Sequence, residues 1–446
     1  MKISPARLAA FEILSKIEKE RAFSSVLLPQ YENDLSLQDC GLCHALTLGI
    51  LRKQIGLDRL IDQYTKGKKI DSAVRIALRI GLYQLLFLDK VPDYSAINES
   101  VNLVQYGKKT SAKGFVNAIL RRATREKIDI VFTDHIDRIS VETSHPRWLI
   151  EKWIGQFGEN ETTTLAAANN DIPQIAFRTT ARSAGAPPGN VLPSEYVEGC
   201  FIADNIDEEL LAMAERGEIY FQDEASQMVA ASVDLKEGEK FLDVCAAPGS
   251  KATLIANKFQ ISNFKFQISD LKAQTANSGL IVAGDLHYQR VQFMRSNFEK
   301  QGIDNFNLLQ YDAVKSLPFG DESFDVVLVD APCSGTGTIR HNPEIRYFLS
   351  VDDFNDLSRK QLVILQNASK FVKTGGRLIY STCSLEQEEN EIVCADFLAA
   401  NPDFDKIRPE VPDKFINDEL FVHTSPHRDN MDGFFIAAFE RVSAKL

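Results

Sequence analysis

Two cysteines stand in stretches suited to chemistry. Cys333 lies in DVVLVDAPCSGTGTIR (325–340), after an apolar run that ends on Asp330, with Ser334, Gly335 and Gly337 leaving the backbone open to close approach. Cys383 lies in RLIYSTCSLEQEENE (377–391), where another apolar run ends on Thr382 and an acidic stretch follows. A single buried cysteine is usually packing, but two in Gly/Ser/Thr turns of one sheet are expected to face the same crevice, where a lowered pKa makes a nucleophile. A helix amino end just after Cys383 would favour its thiolate.

A third stretch, FLDVCAAPGSKATLIA (241–256), reads as a strand, a tight Ala246-Ala247-Pro248-Gly249 turn and a helix. Such a turn aims backbone N–H groups and a helix amino end at an anionic or polar ligand group. It matches neither GxGxxG nor the P-loop pattern, so those nucleotide readings lose most of their support. Asp285, ending the next apolar run, lies 36 positions after Gly249; without the 14 residues of the tandem FQISNFK-FQISDLK (259–272) the gap is 22, near the roughly 20 at which a carboxylate meets a ribose. Two copies are too few for a solenoid, and the tandem is expected to be an inserted surface loop or helix extension.

Elements must exist to position these groups. From about residue 226 short apolar runs, FLDV (241–244), IVAGD (281–285), NLLQYD (307–312), DVVLVD (325–330), RLIYS (377–381) and FFIAAF (434–439), alternate with helical stretches such as 286–301 and 353–372. That rhythm predicts a parallel sheet with helices on both faces and a ligand site outside the strand carboxyl ends. Residues 1–130 read as helices only. Val74, Ala77, Leu78, Gly81, Leu82, Leu85 and Leu86 form one apolar stripe, Leu8, Phe11, Leu14 and Ile17 another, and Ile97, Val101 and Val104 a third, opened by Ser95. The expected division is a helical domain over 1–145, a small connecting α+β domain over 146–225 with a Gly/Pro loop at 182–190, and an α/β domain over 226–446.

Composition narrows the class. The 446 residues are 44% apolar and 25% charged, as in a globular protein of two or three domains. No apolar run approaches a membrane span and the amino terminus lacks a signal-peptide core, so a cytoplasmic, monomeric protein is expected. Seven scattered cysteines fit free thiols, and the Cys40/Cys43 CxxC has no second pair to make a zinc site, so no metal is expected. The net charge of −12 is uneven: residues 1–145 hold 22 Lys and Arg against 17 Asp and Glu, leaving 28 against 45 for the rest. Lys108, Lys109, Lys113, Arg121, Arg122, Arg125 and Lys127 flank an apolar Phe115, Val116, Ile119, Leu120 face. They can be a solvated flank or a surface for RNA phosphates.

DVCAAPGSK, DAPCSGTG, STCS and the terminal SPHRDNMDGFF resemble, in order and spacing, the RNA cytosine-5 methyltransferases of the Sun/RsmB type, and residues 1–145 resemble the NusB-like RNA-binding domain of their bacterial members. The resemblance implies a Rossmann-like domain using S-adenosylmethionine, an RNA substrate, and methylation of a cytosine carbon-5, most often in small-subunit (16S) ribosomal RNA, through a covalent Cys–C6 intermediate. It implies a cofactor site of Cys245, Ala246, Ala247, Pro248, Gly249, Ser250 and Lys251, with Asp285 on the ribose, Asp312 near the adenine, and Asp330. Cys383 would be the nucleophile, Asp330 would donate toward the N3 edge, and Cys333 would assist product release. Lys108, Lys109, Arg121, Arg122, Arg340 and His341 would hold RNA, and Asp432 and Gly433 belong to the last motif. The chain departs from the family at Ser250, at Thr253 and in the tandem. The alternatives are a transfer-RNA methyltransferase or a non-catalytic RNA-binding antitermination-type factor.

Overall fold

The computed structural model describes residues 3–126, 129–183, 187–267 and 279–443. Contacts gather the chain into two units, 1–171 with 339–349, and 172–338 with 350–446.

The first unit is helical, as the 3.6-residue apolar periodicity predicts. Its long helices are Pro5–Glu20, Leu37–Thr65, Ser72–Phe87 and Asp93–Tyr106, with Lys113–Ala123 beside them. Asp71 caps Ser72–Phe87 by accepting from the Ala73 N–H at 3.0 Å, and Val74, Ala77, Leu78 and Leu82 of the expected stripe are buried. Leu86, at the end of that stripe, is exposed. The helix Asp93–Tyr106 starts after Pro92, two residues before Ser95, whose hydroxyl instead bonds Glu99. Cys43 packs in the core, where burial pushes its thiol up to about 11. Helices Arg147–Phe157 and Glu159–Ala168, expected in the connecting domain, belong by contact to this unit.

So does the excursion 339–349, which was expected within the α/β domain over 226–446. It docks by satisfying helix ends: Arg346 donates to Asn170 Oδ1 at 2.9 Å and to the Thr143 carbonyl at 3.1 Å, and Glu344 accepts from the Ser24 N–H at 2.6 Å. Thr143 ends helix His135–Thr143, whose free carbonyls favour a cation.

The second unit holds two sheets. A small antiparallel one has the order β2-β3-β1-β4, with β1 Ile175–Thr179, β2 Leu192–Pro193, β3 Cys200–Ala203 and β4 Ile219–Phe221. The large sheet has β5 Phe241–Asp243, β6 Ile281–Asp285, β7 Asn307–Gln310, β8 Phe324–Asp330, β9 Val372–Thr382, β10 Phe404–Ile407, β11 Val422–His423 and β12 Phe435–Arg441. Its order is β10-β12-β9-β8-β5-β6-β7, with β11 on β12. Strands β5 to β9 are parallel, but β12 runs antiparallel to β9 and to β10, so the sheet is mixed and not wholly parallel. The short β10 and β11 were not foreseen, because neither is a run of apolar residues. Alternate residues of the parallel strands feed two cores: Phe241, Ala283, Val326 and Leu328 on one face, Leu242, Val282, Val327 and Val329 on the other. The helix after β5 runs to Gln267 and takes in the first copy of the tandem and the first two residues of the second, whose remainder, from Ile268, lies outside the described residues.

Candidate active site

The parallel strands deliver their carboxyl ends to one side of the large sheet, where a cleft of about 270 Å³ is lined by Cys245, Ala247, Asp285, Asp312, Asp330, Cys333 and Cys383. A register shift of one residue in any of these strands would turn its terminal group to the other face.

The turn after β5 is built tightly. The Gly249 N–H donates to the Ala246 carbonyl at 2.6 Å, and Gly249 has φ +93°, a region that an L side chain rarely adopts. Arg290 donates to the Ala247 carbonyl at 2.7 Å and Asn297 to the Pro248 carbonyl at 2.8 Å, so the helix Tyr288–Lys300 fixes the turn from outside. Asp285 ends β6 with its side chain 5% exposed, accepting from the His287 N–H at 3.2 Å and lying 3.4 Å from Arg290 Nη1. A carboxylate has about four lone-pair sites, so acceptor capacity remains for hydroxyl groups in the cleft. Asp312 accepts from the Val314 N–H at 3.1 Å. Ala246 and Gly249 are buried beneath this surface and Pro248 is exposed.

Asp330 ends β8 and accepts twice: from Lys251 Nζ at 2.6 Å and from the Ser381 hydroxyl at 2.7 Å. Both contacts use it as an acceptor. Burial works against the Lys251 charge, yet Asp330 outweighs it and the ammonium sits above the ordinary lysine value, with Cys383 a further contributor.

The two thiols meet. Cys333 Sγ and Cys383 Sγ lie 2.9 Å apart as free cysteines, and the Cys383 N–H points at Cys333 Sγ at 3.2 Å. Contact with Cys383 first, and then burial, raise the Cys333 thiol well above its usual value. The expected helix dipole at Cys383 is not realised, since the next helix is Glu391–Ala400, eight residues on. Positive charge reaches the thiol pair from Lys251 instead. The last motif is tied to the segment that follows Cys333: the Gly433 N–H donates to the Gly337 carbonyl at 2.8 Å.

Sequence reasoning missed Asp243. It ends β5 fully buried, and burial followed by the charge of Asp330 pushes its pKa up to about 8, against the opposing pull of Lys251 and the Cys245 N–H. The available signal was an acid inside a strand apolar on both faces.

Arg340 is a correction. It is 1% exposed, because the excursion 339–349 carries it into the helical unit, where its carbonyl accepts from Arg52 at 3.0 Å. Its guanidinium is not on a surface that RNA could touch, and His341 beside it is half-buried. On the helical unit Lys108 and Arg121 are exposed, Lys109 pairs with Asp71 at 2.8 Å and Arg122 with Glu126 at 2.6 Å. Lys127 lies outside the described residues. No described helix is long and apolar enough to cross a membrane.

Comparison with known proteins gives two family matches: 16S rRNA methyltransferase RsmB/F over residues 230–440 and the NusB family over residues 4–125. The chain is 32% identical over 464 aligned residues to the probable ribosomal RNA small subunit methyltransferase B of Bacillus subtilis, covering 99% of this chain and 100% of that protein. It is 33% identical to ribosomal RNA small subunit methyltransferase B of Pseudomonas putida, covering 89% of each. Among solved structures, PH0851 aligns with TM-score 0.82 and 26% identity over 99% of this chain and all of that one.

Proposed function

Because the chain belongs to the RsmB/F family of 16S rRNA methyltransferases, we propose that it methylates carbon-5 of a cytosine in small-subunit ribosomal RNA, with Cys383 as the nucleophile. The observation that carries this reading is the contact of two free thiols, 2.9 Å apart, in the cleft that Asp330 lines. S-adenosylmethionine, the family's cofactor, supplies an electrophilic methyl group when bound. The cleft suits it: Asp285 retains acceptor capacity for ribose hydroxyls, Asp312 stands on the neighbouring strand end, and the turn from Cys245 to Lys251 offers backbone groups at a helix start.

Carbon-5 of cytosine is a weak nucleophile, and addition of a thiolate at carbon-6 cures this. As the Cys383 sulfur bonds carbon-6, the double-bond electrons move toward N3, which takes up the proton held between Lys251 and Asp330. Carbon-5 is then the nucleophilic end of an enamine. After methylation, loss of the carbon-5 proton to a base re-forms the double bond and expels the Cys383 thiolate, and N3 gives its proton back to the Lys251–Asp330 pair. The Cys333 S–H, 2.9 Å away, donates to the departing sulfur and lowers the cost of that step. Its raised pKa keeps that proton in place. The target base must be unpaired or splayed out for carbon-6 to reach the thiol. The basic face of Lys108, Lys109, Arg121 and Arg122 supplies RNA affinity and not chemistry, and a ribosomal RNA substrate places the reaction in the cytoplasm. The transfer-RNA and non-catalytic alternatives gain nothing from the relatives named above.

Bisulfite sequencing of total RNA from cells with and without the gene tests the substrate. One 5-methylcytosine missing from 16S ribosomal RNA is the expected result. An unchanged ribosomal pattern with a missing site in transfer RNA would replace this reading.

A further inference from the structure

Glu389 has no role in the chemistry above, yet it is 0% exposed and lies beside both cysteine turns. Its Oε2 accepts from the Ser334 N–H at 2.9 Å and from Gln361 Nε2 at 2.8 Å, and its Oε1 accepts from the Ser384 hydroxyl at 2.7 Å. Ser334 follows Cys333 and Ser384 follows Cys383, so one carboxylate holds the residue next to each thiol. We propose that Glu389 is a positioning residue that clamps the two cysteine turns together and thereby sets the distance between the two sulfurs.

The surrounding bonds point the same way. The two serine hydroxyls lie 3.0 Å apart, Gln361 also donates to the Pro332 carbonyl at 3.0 Å, and the Leu385 N–H donates to Thr336 Oγ1 at 3.0 Å. Each bond joins one turn to the other or to the helix Val351–Ser369, and Glu389 takes part in three that nothing else replaces. Ser334, Ser384 and Gln361 are all neutral donors; a merely structural link would be cheaper with an amide, since burying a carboxylate without a cation is costly. Burial raises its pKa while Ser334, Ser384 and Gln361 oppose the rise, and its charge is one of those that keep the proton on Cys333. A clamp of this kind holds reacting groups in the geometry that the reaction needs.

The inference rests on the thiol roles proposed above, so its test uses one readout that does not depend on them. Phenylarsine oxide bridges two neighbouring thiols, forming two As–S bonds and releasing one water. Full-length protein carrying Cys40→Ser, which removes the other close thiol pair, is titrated with the arsenical and assayed for methyl transfer to 16S RNA, alongside Glu389→Ala and Glu389→Gln. Glu389→Ala should bind the arsenical at least tenfold more weakly and lose at least tenfold in kcat, with the KM for RNA within twofold. Glu389→Gln should recover part of both losses, because its carbonyl still accepts from Ser334 and Gln361. If Glu389→Ala does not fold, Glu389→Gln decides alone: weaker arsenical binding with unchanged KM supports the clamp. Arsenical binding within twofold of the parent in whichever variant folds overturns it, as does a loss confined to KM. A Cys383→Ala protein that still methylates would instead overturn the thiol roles, leaving the arsenical result to judge the clamp by itself.

Discussion

Replacing Asp243 with asparagine keeps the shape of the strand end and removes a charge that the fold accommodates badly. The folded carboxyl titrates at about 8, against roughly 3.9 in an unfolded chain. Between those values the folded protein holds a proton that the unfolded chain has lost, so stability falls as pH rises, by about 1.4 kcal/mol per pH unit for one group. Asparagine has no such dependence. From pH 5 to pH 8 the variant should therefore gain about 4 kcal/mol on the parent, whatever constant offset the amide introduces. Hydrogen exchange of the β5 amides (Phe241–Asp243) reads this locally, which avoids treating a two-unit chain as one transition. Comparing both proteins at the same pH cancels the intrinsic exchange rate, and the protection ratio should grow close to tenfold per pH unit. A ratio that stays flat from pH 5 to 8 would mean that Asp243 is ionised throughout, and the reasoning from its burial would fail.

Filter binding of 16S RNA at rising salt should show Lys108→Ala and Arg121→Ala each reducing the salt slope by about 0.7–0.9, the contribution of one phosphate contact. Lys109→Ala and Arg122→Ala should reduce it less, because Asp71 and Glu126 already hold those side chains. Gly337→Ala would put a Cβ 1.9 Å from the Gly433 carbonyl oxygen, backbone that cannot swing aside, and should destabilise by about 2–3 kcal/mol, read as a lower melting temperature with loss of turnover. Asp285→Ala should weaken S-adenosylmethionine binding by about 10–100-fold in calorimetry, the worth of hydroxyl bonds to a carboxylate. An unchanged affinity would remove Asp285 from the ribose site.

What the sequence made legible was local. Periodicity marked the helices of residues 1–130 and alternating short apolar runs marked β5 to β9, because burial on one face or two leaves a direct imprint on residue order. The same signal placed Asp285, Asp330, Cys333 and Cys383 at strand ends, and the structure brings those four to one cleft. What depends on partners distant in the chain left no such imprint. The antiparallel entry of β12 beside β9 follows from tertiary pairing and not from its apolar run. The resemblance offered Arg340 as an RNA ligand, but residues 339–349 satisfy helix-end carbonyls elsewhere and Arg340 is buried. The bond of Lys251 to Asp330, 79 positions on, likewise left no mark on local residue order. Glu389 sat unremarked in an acidic run, since nothing in EQEENE separates the buried Glu386, Glu389 and Asn390 from the exposed Gln387.

The central claim, that Cys383 attacks and Cys333 assists release, is tested most directly by the fate of labelled 16S RNA with the two alanine variants on a denaturing gel. Cys383→Ala should show no turnover and no covalent protein–RNA band, because the first bond never forms. Cys333→Ala should accumulate that band, because addition and methyl transfer precede the step that loses its hydrogen-bond donor. A band with Cys383→Ala alone would exchange the two roles, and intact turnover with no band in either variant would contradict covalent catalysis by these thiols altogether.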